Sequence, residues 1–532
     1  MIKYIYKGSN IVRRLAALLI SLALLCPLLS LSGCSGEVFN IYFGVDSEPR
    51  NLDPQMAESY GELLAVRNCF RGLIKEDIDG NAVLDLAESC DISEDRLTYT
   101  FKLKDAEWKN GTPVTADDFV FALTRAVDPV TASPSSQALI NIVGASARIS
   151  GDSTAVFGVT ATDEKALIIN LVRPDSTFLL SLTAAVFKPC NREFFENCGG
   201  KYGLSKEHIL TNGQYTVSQW TKGRHVKLTS TDKSDTESGK PQNVYITVSA
   251  TGKNCIQRIM DGEIGMTVDN CNDHTAVNTS KYTVLTAHEK TYALIFNKNT
   301  DVGKSKLLTD AFARAVHKEY YSSRMSDRFK TAQSVLPEDS TVLYRTVGDI
   351  SVPDYGYQFD SNTARNDLLT AVSALKDKKL PAISILYCDN AEIRSILGDV
   401  VSQWQSNLGA YVNIASVPSE KKLLESISAN EYTVAIVPLS GTVAEILTNF
   451  ATQNSGMYLQ NEDYNNAIKK LTETDDYAVA TTAIENCLEI LSNESAVIPV
   501  ISVPTAYIYD KTYKNVKFSI TDNTVDFSII YK

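Results

Sequence analysis

The sequence predicts an α/β protein whose first half is mixed α+β, and three observations carry that expectation. Residues 382–417 run strand, helix, strand, the unit that builds parallel sheets. Residues 98–103 place Tyr99, Phe101 and Leu103 at the period of a strand, one of several short elements in the first half. The chain has 532 residues, too many for one compact core, so two or three domains are expected.

The elements follow in chain order. Residues 41–45 read as a strand stopped by Ser47-Glu48-Pro49. Residues 62–69 read as a helix, with Leu63, Val66 and Phe70 spaced for one buried face. After the strand at 98–103, Asn110-Gly111-Thr112-Pro113 is a turn. Thr115 then caps a helix over 116–126, with Asp117 and Asp118 in the first turn, where the helix dipole favours acids. Residues 166–171 form a strand, and 230–242, polar with Gly and Pro, a loop. Residues 292–296 read as a strand and 308–320 as a helix. The β-α-β unit comprises strand 382–387, helix 391–407 and strand 410–417. Strand 432–437, helices 464–471 and 478–491, and strand 496–503 complete the pattern, without internal repeats.

The N-terminus has the order of an export signal. Lys3, Lys7, Arg13 and Arg14 precede an apolar stretch over 15–29, and Leu31-Ser32-Gly33-Cys34 follows. The apolar stretch is shorter than the roughly 20 residues a membrane span needs. These four cations come without an acid, so the body stands near −16 against −12 for the whole chain. An acidic body argues against nucleic acid, which needs clustered Lys and Arg. Cys26 falls in the signal and Cys34 at its end, leaving eight cysteines, an even number that permits disulfides in an exported protein. Cys190–Cys198 and Cys255–Cys271 are the local pairs expected; buried free thiols are the alternative.

Little in the sequence suggests catalysis. The five histidines lack metal-binding spacing, and Cys271, Asp273 and His274 with Asp269 have no matching second half, so no metal and no cofactor are expected. Neither a Gly-x-Ser-x-Gly elbow nor a phosphate-binding glycine loop is present. Asp117-Asp118 is explained by the helix start, and no catalytic constellation emerges, so the chain is expected not to be an enzyme.

An ordered series of motifs is more specific. Leu52-Asp53-Pro54, Phe70-Arg71-Gly72-Leu73 and Asp85-Leu86-Ala87-Glu88-Ser89 come first. Leu97 through Leu103 leads to Trp108-Lys109-Asn110-Gly111-Thr112-Pro113-Val114-Thr115-Ala116-Asp117-Asp118-Phe119-Val120. Arg125-Ala126-Val127-Asp128-Pro129, Thr131-Ala132-Ser133-Pro134, Asn191-Arg192-Glu193-Phe194-Phe195, Thr211-Asn212-Gly213-Gln214-Tyr215, Gly262-Glu263-Ile264 and Ile498-Pro499-Val500 follow. Together these resemble the oligopeptide-binding proteins of ABC importers, family 5 of the extracytoplasmic solute-binding proteins, over essentially the whole chain after residue 41. Leu-Ser-Gly-Cys likewise resembles the lipobox of bacterial lipoproteins, which implies lipidation at Cys34 and a membrane held through that anchor only, on the extracytoplasmic face of the cell membrane.

The resemblance implies a two-lobed clamp of the type II periplasmic-binding-protein kind, with an extra subdomain in the first lobe. The expected division is signal peptide 1–33, tether 34–40, lobe I from 41–70, 190–290 and 501–532, its subdomain 71–189, and lobe II 291–500. It implies a monomer that closes on a peptide and hands it to an ABC permease with its ATPase subunits. Carried over by position, Glu58, Ser59, Tyr60, Ser135 and Tyr292 line the ligand. The family's second-lobe strand ends in a Gly-Trp-x-x-Asp pattern whose Asp holds the peptide amine; here Leu439, Ser440, Gly441 and Thr442 stand in that stretch and are expected to line the ligand too, without the Trp or the Asp. The Asn-Pro-x-Tyr-Trp motif expected near residue 233 is also absent. These departures leave open the same fold binding a non-peptide solute (a metal chelate, glycan or signal molecule), or a sensory or adhesion lipoprotein.

Overall fold

A computed structural model describes residues 38–232, 239–269, 274–322, 329–342, 345–347, 358–495 and 497–532. The signal segment, Cys34, Cys271 and Asp273 lie outside the described residues.

An eleven-stranded sheet runs through both halves of the molecule. Two long antiparallel strands, Tyr282–Phe296 and Val497–Asp510, pass from one half to the other and pair along most of their length. On the first-lobe side Met266–Asp269 pairs with Val497–Asp510; Asn40–Gly44, Asn243–Thr247, His225–Ser230 and Tyr215–Thr221 extend the sheet outward. On the other side Val434–Ser440 joins Tyr282–Phe296, followed by Ile383–Cys388 and Val412–Val417. The last two strands are parallel and are linked by the helix Ala391–Leu408, as the β-α-β pattern predicts.

Each half encloses its own core. Phe43, Leu64, Phe101, Trp108 and Phe119 belong to one continuous apolar cluster, which also takes in the antiparallel subdomain sheet of Ala87–Ile92, Thr98–Leu103, Ala166–Asn170 and Val159–Asp163. The second-lobe sheet is covered on both faces: Ala435, Val437 and Leu439 pack with Tyr464 and Leu488, while Val434 and Ile436 pack with Phe312 and Trp404. Burial on both faces explains why this strand reads as a continuous apolar run rather than an alternating one.

The crossing strands carry two irregularities. Ala287 pairs with Thr505 and Lys290 with Val503, so His288 and Glu289 together face Pro504 alone, a β-bulge. A second slip falls between Tyr292 and Ala293, beside Pro499. Proline has no N–H to give a ladder, so inside a sheet it is confined to edges and such breaks. The expected lobe boundaries at 290/291 and 500/501 fall inside these crossing strands.

Three expectations are corrected. The strand expected at 292–296 begins ten residues earlier, at Tyr282. The helix expected over 308–320 is two, Lys306–Arg314 and Lys318–Ser322. It stops because the neighbouring helix captures its backbone: Asn407 Nδ2 donates to the Ala315 carbonyl at 2.9 Å and His317 N–H donates to Gln403 Oε1 at 2.6 Å. The Cys190–Cys198 disulfide is not formed; both are buried free thiols. The helix Arg192–Asn197 stands between them; at about 1.5 Å per residue it spans about 9 Å, longer than the roughly 7 Å a disulfide tolerates between Cα atoms. Burial instead keeps the Cys190 thiol protonated, its pKa raised to about 12. Cys255 is also buried, its own pKa raised to about 12 by burial, and its expected partner Cys271 lies outside the described residues.

Candidate functional site

The residues expected to line a ligand fall on four segments around the crossing strands. The first is the stretch leading into the helix Tyr60–Cys69. Its shape is set by Glu62, which is 6% exposed. One carboxylate oxygen accepts the N–H groups of Arg50 and Asn51 at 2.7 and 3.1 Å, the other those of Glu58 and Ser59, both at 3.0 Å. Four amides with no sheet partner are thus gathered by one side chain. Glu58 is exposed; Ser59 and Tyr60 are half-buried. Tyr60 turns away from open space: its ring stacks on Phe43, with centroids 5.8 Å apart, and its hydroxyl donates to the Asn523 carbonyl at 2.8 Å.

The same stretch is held from the subdomain side. Asp53, 2% exposed, pairs with Arg125, which also donates to Gln55 Oε1 at 3.0 Å and lies 3.9 Å over the Phe195 ring. Ser133 Oγ donates to the Gln55 carbonyl at 2.6 Å, which brings the turn carrying Ser135 against this loop. Ser135 itself is half-buried and precedes the short 3₁₀ helix Ser136–Leu139. The Leu-Asp-Pro and Arg-Ala-Val-Asp-Pro motifs are therefore contacts of each other. Asp118 is likewise structural: its carboxylate accepts Thr115 N–H at 3.0 Å and Trp108 Nε1–H at 2.9 Å, closing the turn onto the helix Ala116–Val127.

Tyr292 lies on the crossing strand opposite Pro438 and Ile501. With Lys290, Phe329, Asn390, Glu392 and Thr505 it lines a cavity of about 40 Å³. Of the second-lobe stretch, Leu439 is 3% exposed and packs into the lobe core, so it is withdrawn from the ligand-lining set. Its strand alternates there, and the exposed position is Ser440, opposite Lys290. Gly441 turns the chain at φ +108°, where a Cβ would sit 2.7 Å from Glu445 Oε2. Thr442 caps the helix Val443–Thr448, exchanging bonds with Glu445, and lines a narrow cavity with Ser176, Thr177 and Leu180 of the subdomain. Thr442 is thus brought against the first lobe, and Tyr292 and Ser440 share the strand pair beside it.

Sequence reasoning missed the bulge. His288 N–H donates to an Asp339 carboxylate oxygen and its Nδ1 lies 3.1 Å from Ser502 Oγ. Glu289 accepts from the Tyr507 hydroxyl and, at 2.8 Å, from Asn523 Nδ2. The polar triplet His288-Glu289-Lys290 inside an otherwise strand-forming run was the available signal. Burial raises the Glu289 pKa above the ordinary carboxylate value, with Asp339 adding to the shift. The folded state therefore favours the protonated form, and the stability this contributes is lost as pH rises through the raised pKa. Glu289→Gln keeps acceptors for both donors and removes the charge. The variant is expected to gain thermal stability over wild type at pH 7.5 but not at pH 4.5; an equal melting difference at both would show that Glu289 carries no such burden.

Residues 81–458 match the model described as bacterial extracellular solute-binding proteins, family 5 middle. The chain is 27% identical over 471 residues to the periplasmic oligopeptide-binding protein OppA of Escherichia coli, covering 85% of each. It is 25% identical over 471 residues to a dipeptide-binding protein of Lactococcus lactis subsp. cremoris, covering 83% of this chain and 84% of that one. Its fold is similar to that of Listeria monocytogenes OppA bound to peptide, with a TM-score of 0.71 at 22% identity over 93% of this chain and 99% of the other.

Proposed function

The chain belongs to the bacterial extracellular solute-binding proteins of family 5, and from that premise we propose that it captures peptides between its two lobes and delivers them to an ABC transporter. The observation that carries this reading is the pair of crossing strands, bulged at His288-Glu289, which join two separately cored lobes. Such a joint permits rigid-body closure, and a ligand touching both lobes favours the closed state by its differential affinity. The relatives that match over most of the chain are dipeptide- and oligopeptide-binding proteins, which supports a peptide as the solute. Ser440, Gly441 and Thr442 supply no carboxylate, so the peptide amine is held by other groups or is blocked. The reading includes no chemistry on the ligand, a monomer, and a lipid anchor at Cys34 on the extracytoplasmic side. Isothermal titration with di- to nonapeptides, after ligand stripping by unfolding and refolding, is expected to show one-site binding. No heat from any length, with a non-peptide solute co-purifying, would overturn the peptide reading in favour of that solute. Detergent partitioning that persists in Cys34→Ala would exclude the anchor.

The lobes also touch away from the crossing strands. Arg96 donates to the Glu473 carbonyl at 3.1 Å and pairs with Asp475 at 2.9 Å, while Ser176 N–H donates to the Thr472 carbonyl at 3.0 Å. Contacts made only on closure count towards ligand affinity. An exposed pair of this kind contributes up to about 1 kcal/mol, which is about fivefold in affinity. Arg96→Ala is expected to weaken peptide binding severalfold, mainly through faster dissociation, with little change in melting temperature. An unchanged dissociation rate would show that the contact is indifferent to ligand.

A further inference from the structure

A cavity of about 100 Å³ lies in the first lobe, at the C-terminal end of the helix Tyr60–Cys69. Four cations line it, Arg67, Arg71, Lys75 and Lys188, against the acids Glu76, Asp85 and Asp526. Each acid is already engaged. Glu76 takes Arg67 at 3.2 Å, the Ser519 hydroxyl at 2.6 Å and Ile520 N–H at 2.7 Å. Asp85 takes Arg71 at 2.7 Å, and Asp526 takes the N–H and hydroxyl of Ser528 at 2.9 and 2.6 Å.

Lys188 is left over. It is 6% exposed, and among the described residues its ammonium makes no direct hydrogen bond or ion pair; Asp85 and Asp522 attract it without pairing with it. The residue is fixed in place: its N–H donates to the Ala185 carbonyl at 3.0 Å, and Gln55 Nε2 donates to its carbonyl at 2.9 Å. Gly72 leaves room for the amine, since a Cβ there would stand 3.0 Å from Nζ. Burial lowers its pKa to about 8, so it remains cationic at neutral pH. A buried charge without a partner is unfavourable unless something satisfies it. The cavity has the volume to admit such a partner and is polar enough to hold it. Its mouth carries exposed Lys75 and Gln214, and Arg71 is half-exposed beside them.

We propose that this cavity binds a small oxyanion of phosphate or sulfate size, with Lys188 as the buried cation and Arg71 and Lys75 at the entrance. The bound anion neutralises the ammonium and ties together the helix end, the turn before Lys188 and the C-terminal segment. The site is separate from the interlobe ligand. Titration calorimetry of the whole protein, in buffer free of phosphate and sulfate, with inorganic phosphate, sulfate and acetate at pH 7 tests it. Saturable one-site binding of phosphate or sulfate is expected, weakened at least tenfold in Lys188→Met, whose peptide binding stays intact. Acetate alone binding would reassign the site to a carboxylate and overturn the oxyanion assignment. No saturable binding, or equal binding in the variant, would overturn the site. Should the variant fail to fold, the wild-type protein decides: a phosphate-induced rise in melting temperature is expected at pH 7 and lost at pH 9.5. A rise that persists undiminished at pH 9.5 would overturn the role of Lys188.

Discussion

Glu62→Ala is expected to destabilise the protein by about 3–5 kcal/mol and to weaken peptide binding at least tenfold. The carboxylate accepts four backbone N–H groups, from Arg50, Asn51, Glu58 and Ser59. A hydrogen bond to a charged group contributes about 1.5–3 kcal/mol, but water can replace part of this, because Arg50 and Glu58 are exposed. The total therefore falls well short of four full bonds. The functional loss has a different origin. Without Glu62 the two ends of the stretch 50–59 lose their anchor, although Asp53 and Gln55 stay held by Arg125 and Ser133, so a ligand must order the freed ends on binding and affinity falls by that entropy. Glu62→Gln keeps one acceptor oxygen and should show about half of each effect. Urea unfolding measures the first and calorimetry the second. A variant with wild-type midpoint and affinity would mean that the loop holds itself.

Arg125→Met is expected to cost about 3–5 kcal/mol, the range for stranding one member of a buried pair. The guanidinium side chain is 10% exposed and that of Asp53 4%, and the pair lies against Phe195. Removing the cation leaves Asp53 buried with the Gln55 N–H, at 3.1 Å, as its remaining backbone donor. Adding Asp53→Leu removes the stranded charge, so the double variant should be more stable than Arg125→Met alone. Denaturant midpoints around this double-mutant cycle give the coupling energy. Additive losses would show that the two side chains act independently, contrary to their geometry.

Much of the fold was legible because its signals are local. Thr115 and Asp118 mark a helix start three residues apart, and the strand Thr98–Leu103 falls where its alternation placed it. The β-α-β unit was visible because a helix of period 3.6 and strands of period 2 adjoin without ambiguity. The candidate site was less legible. Leu439 was placed in the ligand-lining stretch by its position in a motif, whereas burial depends on which face its strand turns to the core. Tyr60 was placed there too, and its hydroxyl meets Asn523, far along the chain.

The sequence by itself determined the order and type of most elements, the family, and the absence of an acid in the 439–442 stretch. These rest on interactions that reach four residues or on ordered motifs, both of which survive in a one-dimensional record. Only the tertiary structure decided what those motifs touch. It set Asp53 on Arg125, bent the crossing strands at His288-Glu289 opposite Pro504, and buried the Lys188 side chain at the wall of a cavity. Such pairings join residues tens to hundreds of positions apart. Their partners are chosen by the packing of whole elements, which no local pattern encodes.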